Sequence, residues 1–383
     1  MNEPMIPIVF ATDDNYVPYC GVAISSLIQN AYKANTIKIF VLYDRLSLTS
    51  IRRLESLTTE SAQVSCICIH DYIMDLNVAE YNHLTIASAY RLVIPDVLPQ
   101  YDKLLYLDSD IVVNGDISEL YSFELGDNIL GAVHGYFKPG DFMHNHITKT
   151  LKIREKNFFN AGILLINAEA FRRNHVKDKC FQLLSQRRDL YYMDQCALNI
   201  VCEGSVFFLP SRWNYEWLLD FSKEMDTEGF RNEGKAIIHY DSNIKPWDFP
   251  GKLLADVFWS YARRTIFYEE ILYTGQRKQT RQLLNILGLA GSHRNIAIYG
   301  AGNAGKKYVE TILSLKICNV VLWVDKNYAD KTDCPLPVEC VDRLYETEYE
   351  QLIIAVEDIF VSNDIKSMLI SNGIDKKKIV QIC

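Results

Sequence analysis

Two aspartates separated by one residue, Asp108-Ser109-Asp110, directly follow an apolar run, Lys103–Leu107, that reads as a β-strand. Residues two apart on a strand or its extension face the same side, so the carboxylates project together while Ser109 turns away. Two carboxylates converging at a sheet edge need a cation, and a divalent ion there can bridge to a diphosphate and neutralise charge on a leaving group. A bare Asp-x-Asp is also a common turn or helix-capping pattern. The apolar strand before it, Ile111-Val112-Val113 after it and a distant His239 closing Ile237-Ile238-His239 set this instance apart. Carboxylate and imidazole ligands suit manganese better than calcium or magnesium, so the expected ion at Asp108, Asp110 and His239 is Mn2+, with Mg2+ as the alternative.

Positioning these groups requires a rigid sheet. From Ile6 to about Asp241, short β-rich apolar runs alternate with amphipathic helical stretches. Ile6–Ala11, Ile37–Leu42, Val64–Ile69, Lys103–Leu107, Ile129–Val133, Ala161–Ile166, Val206–Leu209 and Ala236–Tyr240 read as strands. Cys20, Ala23, Ile24, Leu27, Ile28 and Ala31 recur at helical spacing, as do Leu48, Ile51, Leu54 and Leu57. The pattern predicts an α/β sandwich with a mostly parallel sheet, and the carboxyl edge of such a sheet is where ligands bind.

A second motif lies far downstream. Gly300-x-Gly302-x-x-Gly305 falls between a strand, Asn295–Tyr299, and a helix through about Leu315, and Asp325 ends the next strand, Val320–Val324. This is the context in which backbone N–H groups at a helix N-terminus hold a phosphate while an acidic residue takes a ribose. With Leu352–Val356, a helix near Ile365–Ile370 and Lys378–Ile382, residues 292–383 read as a small, Rossmann-like, doubly wound domain. Residues 1–250 read as the catalytic domain. Residues 251–291 read as a helical linker interleaving Phe258, Trp259, Tyr261, Phe267 and Tyr268 with Arg263, Arg264, Arg277, Lys278 and Arg281. Such a helix either lies on an anionic membrane surface or packs its aromatics on the preceding unit, and Asp256, Glu269 and Glu270 favour the second.

The 383 residues are 49% hydrophobic and 23% charged, enough apolar content for two buried cores. A net charge of −8 argues against broad nucleic-acid binding. Neither a signal peptide nor a membrane span is read, so a cytoplasmic location is expected; peripheral contact with the inner membrane surface and homo-oligomerisation stay open. The ten cysteines form no CxxC pair and read as reduced core residues.

Several motifs in order give the chain a specific resemblance over about residues 6–250: Ile8-Val9-Phe10-Ala11-Thr12-Asp13-Asp14-Asn15-Tyr16, Tyr90-Arg91-Leu92, Tyr106-Leu107-Asp108-Ser109-Asp110, Phe159-Asn160-Ala161-Gly162, Met193-Asp194-Gln195, and His239 through Lys245-Pro246-Trp247. It resembles glycosyltransferase family 8, the retaining group with bacterial lipopolysaccharide galactosyl- and glucosyltransferases and glycogenin. The resemblance implies a GT-A-type nucleotide-diphospho-sugar transferase fold and transfer of a hexose, glucose or galactose, from a UDP-sugar to a glycan acceptor, in lipopolysaccharide, capsule or other surface polysaccharide synthesis. It puts Ala11, Asp13 and Asn15 on the nucleoside, Arg91 on the donor, Lys245 on the diphosphate, and Asn160, Asp194 and Gln195 along the donor sugar. Ser109 and Ser242 fall within the same donor-binding stretches.

Gln195 is a poor nucleophile, which favours same-face attack with the departing phosphate oxygen as base. Two stretches depart from the family pattern. Gly131-Ala132-Val133-His134-Gly135 lacks an acidic residue that relatives often carry there, and Ser242 stands where glycine is frequent. The acceptor side is expected to draw on Phe142–Lys156 and on Arg212-Trp213-Asn214-Tyr215-Glu216-Trp217. The competing readings are an NAD-dependent sugar oxidoreductase centred on the C-terminal glycine loop, which lacks a convincing Tyr-x-x-x-Lys relay, and a non-catalytic scaffold that binds a nucleotide sugar.

Overall fold

A computed structural model describes residues 5–32, 36–76, 86–137, 140–217, 234–242, 244–251, 254–275, 294–315, 318–331, 333–356 and 358–381. The chain divides into two compact units, Met1–Leu272 and Tyr273–Cys383.

In the first unit, β1 (Met5–Ala11), β2 (Thr36–Tyr43), β3 (Ala62–Cys68), β4 (Lys103–Leu107), β6 (Leu130–His134), β7 (Phe159–Asn167) and β8 (Val206–Phe208) form one seven-stranded sheet in the order β3-β2-β1-β4-β7-β6-β8. Only β7 runs against its neighbours; the other pairings are parallel. The near-continuous apolar runs have a plain cause. Both faces of β1 are covered, one by the cluster around Ile8, Phe10 and Ile24, the other by that around Val9, Tyr90 and Tyr106. A small second sheet joins β5 (Ile111–Val113) antiparallel to β10 (Ile237–His239), which pairs in parallel with β9 (Tyr215–Glu216). Neither β5 nor β9 stood out in the sequence, because strands of three and two residues are too short to show alternation.

The first unit extends past Pro250. Helix Ala255–Ala262 and the following turn bury Phe258, Trp259, Tyr261 and Phe267 in the core around Trp213 and Trp217. Trp259 donates to the Pro246 carbonyl at 3.0 Å, and Arg53 pairs with Glu270 at 2.5 Å. The aromatics thus serve the core rather than a lipid surface, and this part of the expected linker is continuous with the first unit. Arg277, Lys278 and Arg281 lie outside the described residues. Among the described residues no helix is long and apolar enough to cross a membrane. Cys20, Cys180, Cys196, Cys202 and Cys318 are buried and free as expected, whereas Cys68 is exposed at the end of β3.

The second unit is a four-stranded parallel sheet, β11 (Asn295–Tyr299), β12 (Asn319–Val324), β13 (Gln351–Ile354) and β14 (Ile379–Gln381), in the order β12-β11-β13-β14. Helices Asn303–Leu315 and Ile359–Ser371 follow β11 and β13, and separate apolar clusters cover the two faces.

Candidate active site

The carboxyl ends of β1 and β4 open into a cleft of about 490 Å3, within the size range of small-molecule sites. Strand β4 delivers Asp108 to Asp110, and β10 delivers His239 from the small sheet, so the two sheets meet at this point. One ligand atom from each of Asp108, Asp110 and His239 lies within 4.8 Å of the others. His239 Nε2 stands 3.3 Å from Asp110 Oδ1 and 3.7 Å from Asp108 Oδ2.

The opposite edge of the imidazole fixes its proton. Asn214 Nδ2 donates to Asn160 Oδ1 at 2.9 Å, so the Asn214 oxygen is the atom 2.9 Å from His239 Nδ1 and must accept from it. That network assigns the Nδ1–H tautomer and turns the Nε2 lone pair toward the aspartates. The floor beneath them is Gly162: a Cβ added there would lie 2.2 Å from His239 Cε1 and 2.9 Å from Asp108 Oδ2. On its β6 side β7 breaks register between Ala132 and Val133, while on its other side the Gly162 carbonyl continues the β4–β7 ladder by accepting from the Asp108 N–H at 2.8 Å. Two carboxylates, one imidazole and a side-chain-free floor fit a divalent cation that accepts mixed oxygen and nitrogen ligands.

Cations surround this cluster. Lys245 Nζ donates to Asp110 Oδ2 and to the Tyr240 carbonyl, each at 2.6 Å. Arg91 lies over the Tyr106 ring, 3.1 Å from Asp108 Oδ1 and 2.8 Å from Asp194 Oδ2, with Nε–H directed to the Ser88 carbonyl and Nη1 to that of Ala161. Burial pushes the Asp108 carboxyl up despite Arg91. Burial also acts on Asp110, but Lys245 and His239 outweigh it and hold that carboxyl far below the usual range. For His239, burial alone would lower the pKa; Asp110, then Asp241 and Asp108, overcome it and raise it. The field that favours a proton on Nε2 is the field that would attract a metal.

Most sequence-derived positions converge here. Ala11, Asp13, Arg91, Asp108, Ser109, Asp110, Asn160, Asp194, Gln195, His239, Ser242 and Lys245 all line the cleft. Several carry structural duties as well. Asp13 Oδ1 accepts the Asn15 and Tyr16 N–H groups, capping the turn into helix Val17–Asn30, and Ser109 donates to the Ala11 carbonyl at 2.7 Å. Ser242 accepts from the Trp217 indole and donates to the Ile244 carbonyl. Gln195 Oε1 accepts the Ala161 N–H at 2.8 Å, which fixes the orientation of its carboxamide.

Asn15 is exposed and stands outside the cleft lining. Trp213 and Trp217 are fully buried in the core and offer no aromatic face to a sugar, while Phe142, 64% exposed and edge-on to Tyr191, does.

Glu216, expected on the acceptor side, lines the cleft, and Asn214 of the same segment holds His239; Tyr16, Tyr106 and Asp241 also line the cleft and were not among the expected site residues. Tyr106 donates to Asp108 Oδ1 at 2.5 Å. Glu216, 8% exposed, has its carboxyl pushed far up by burial and by the charge of Asp241, with the Tyr136 N–H and the Asn160 side chain opposing. Burial also raises Asp241, against His239 and Lys245. The usable signal was the adjacency of Asn214 and Glu216 to the tryptophans of one short segment, since a core segment carrying an acid warrants a reason.

In the second unit, Gly300 adopts φ +104°, and a Cβ on Gly305 would lie 1.9 Å from the Gly300 oxygen, so both must be glycine; Gly302 faces open space. The indole of Trp323 donates to the Gly300 carbonyl at 2.8 Å. Asp325 accepts the Ala301 N–H at 2.6 Å and the Asn327 N–H at 2.8 Å. Both of its oxygens thus brace the loop, a use the ribose-binding expectation did not include.

A family model described as glycosyl transferase family 8 matches residues 7–250. General stress protein A of Bacillus subtilis (strain 168) is 26% identical over 64% of this chain and 88% of its own length. A lipopolysaccharide 1,2-glucosyltransferase of Escherichia coli is 29% identical over 64% of this chain and 74% of its own. Among solved structures, galactosyltransferase LgtC in complex with donor and acceptor sugar analogues superposes with TM-score 0.57 at 26% identity, covering 68% of this chain and 96% of that one.

Proposed function

Because the chain belongs to glycosyl transferase family 8 and is related to lipopolysaccharide glucosyl- and galactosyltransferases, we propose that it is a manganese-dependent, retaining hexosyltransferase. In this reading it moves glucose or galactose from a UDP-sugar to a glycan acceptor in bacterial surface polysaccharide synthesis, in the cytoplasm. The observation that carries it is the convergence of Asp108, Asp110 and His239 between Lys245 and Arg91 at the end of β4.

When bound, a divalent ion supplies Lewis-acid charge that stabilises the leaving diphosphate. Asp108, Asp110 and His239 would hold it, and Asn214 keeps His239 in the tautomer whose Nε2 is free to ligate. Lys245 adds charge where the diphosphate becomes more negative as the glycosidic bond breaks. Arg91 keeps Asp108 and Asp194 in place while offering its guanidinium to the donor. Ala11 and Asp13 border the nucleoside, and Asn160, Asp194 and Gln195 take the sugar. The Gln195 oxygen already accepts the Ala161 N–H, which supports same-face attack over a covalent intermediate on this side chain.

The test is UDP release from UDP-glucose and UDP-galactose with a panel of acceptors, with and without Mn2+. Turnover that stops on chelation is expected; no turnover of either donor would contradict the reading. Residues 1–250 are proposed as the catalytic domain, to which the start of the 251–291 linker, through Leu272, is packed. Residues 292–383 are proposed as a Rossmann-like domain that binds a nucleotide or serves assembly through Gly300, Gly302, Gly305 and Asp325. Removing the residues after 291 is expected to leave transfer measurable.

A further inference from the structure

Glu216 lines the cleft although more than nine-tenths of its surface is buried. It stands in register with His239 on the neighbouring strand, so the ladder that fixes the metal-facing imidazole also fixes this acid. Its carboxyl group meets the Tyr136 backbone N–H on one side and the Asn160 side chain on the other. The cations of the cleft are engaged elsewhere: Arg91 with Asp108 and Asp194, Lys245 with Asp110.

Burying an acid against amide donors alone weakens a fold, and an amide or apolar side chain would suit this position at least as well. The carboxyl group nevertheless lines the part of the cleft that also holds Asn160, Tyr192 and Asp241. Carboxyl and amide groups clustered against aromatic rings are the ordinary means of gripping a sugar, the polar groups taking hydroxyls and the rings the C–H faces.

We propose that Glu216 is a sugar-binding residue whose carboxyl group hydrogen-bonds a hydroxyl of a hexose in the cleft and so helps select which hexose is accepted. This rests on the transferase reading above. The hydroxyl belongs either to the donor hexose or to the acceptor, and the two arms of the test separate them.

In the first arm, E216A and E216Q are titrated with UDP, UDP-glucose and UDP-galactose in the presence of Mn2+, with thermal melting as the check on folding. In the second, the KM of methyl α- and β-glucosides and galactosides is measured in the transfer assay. A donor contact predicts that E216A binds UDP as the parent does but loses roughly tenfold in affinity for a UDP-hexose, shifting the glucose-to-galactose ratio. An acceptor contact predicts the same loss in acceptor KM with donor binding unchanged.

E216Q keeps a donor and an acceptor atom and is expected to lose only a few-fold; it serves alone if E216A does not fold. A merely structural strut would weaken UDP and UDP-hexose together. If the variants keep the parent's hexose preference, its UDP-hexose advantage over UDP and its acceptor KM, the assignment of Glu216 is overturned while the transferase reading stands. A parent protein that binds neither UDP-hexose with Mn2+ overturns both.

Discussion

The metal-facing end of β4 and the glycine loop after β11 occupy equivalent places in their units, each at the carboxyl edge of a parallel sheet, yet they are built in opposite ways. At Asp108, Asp110 and His239 two half-buried carboxylates are crowded against a buried imidazole, and their proton affinities are shifted in opposite directions: Asp108 and His239 are pushed up and Asp110 is pulled down. Around Gly300 the demand is met internally, with Asp325 and Trp323 tying the loop to β12. A strained set of charges in a cleft points to chemistry. A closed hydrogen-bond circuit points first to stability.

Asp110 is where the two regions should differ most. D110A is expected to lower transfer about a thousandfold or more, since charge stabilisation at the leaving group is lost, while melting stays close to that of the parent. Near-parental turnover would remove the distinction between the two regions.

Next come changes beside the candidate metal site. G162A forces a methyl group against His239 and Asp108, and N214A frees Nδ1 of His239 to take the wrong tautomer. Each is expected to cost about ten- to a hundredfold in Mn2+ affinity by calorimetry, as loss of a supporting contact does in other metal sites.

Acidity gives a graded version of the same effect. His239 has its pKa raised above the ordinary 6.5 by Asp110, Asp241 and Asp108, so a proton would compete with a metal at Nε2. Mn2+ affinity is expected to fall as pH drops through that raised value and to level off above it, with proton release on binding. In H239N this slope should flatten.

The smallest effect on transfer is expected from the second unit. G305A places a methyl group against the Gly300 oxygen and is expected to destabilise that unit by about 1–3 kcal/mol, read by hydrogen exchange, with transfer unchanged. Loss of transfer in a folded G305A protein would show that the two regions act as one.

The sequence carried the long elements because length makes a pattern. Val9, Phe10, Leu104 and Leu105 sit on strands buried on both faces, and their apolar runs translate directly into the large sheet. Asp108 and Asp110 were legible because a polar pair ending such a run needs a reason. Asn214 and Glu216 were legible only as members of an acceptor-side segment, because β9 has two residues and their place beside His239 arises from pairing with β10, a contact between distant segments. The same limit left Trp217 open between core and sugar contact, since its indole meets Ser242 only after folding. Asp325 was placed correctly in the chain, but its hydrogen bond to Ala301 depends on how β12 lies beside β11.

The central claim is that Asp108, Asp110 and His239 share one cation with a nucleotide diphosphate. Anomalous diffraction at the manganese edge, from crystals grown with Mn2+ and UDP, tests it most directly. A single strong peak within bonding distance of all three side chains and of the diphosphate oxygens is expected. A well-ordered UDP in the cleft with no manganese at these residues would contradict it.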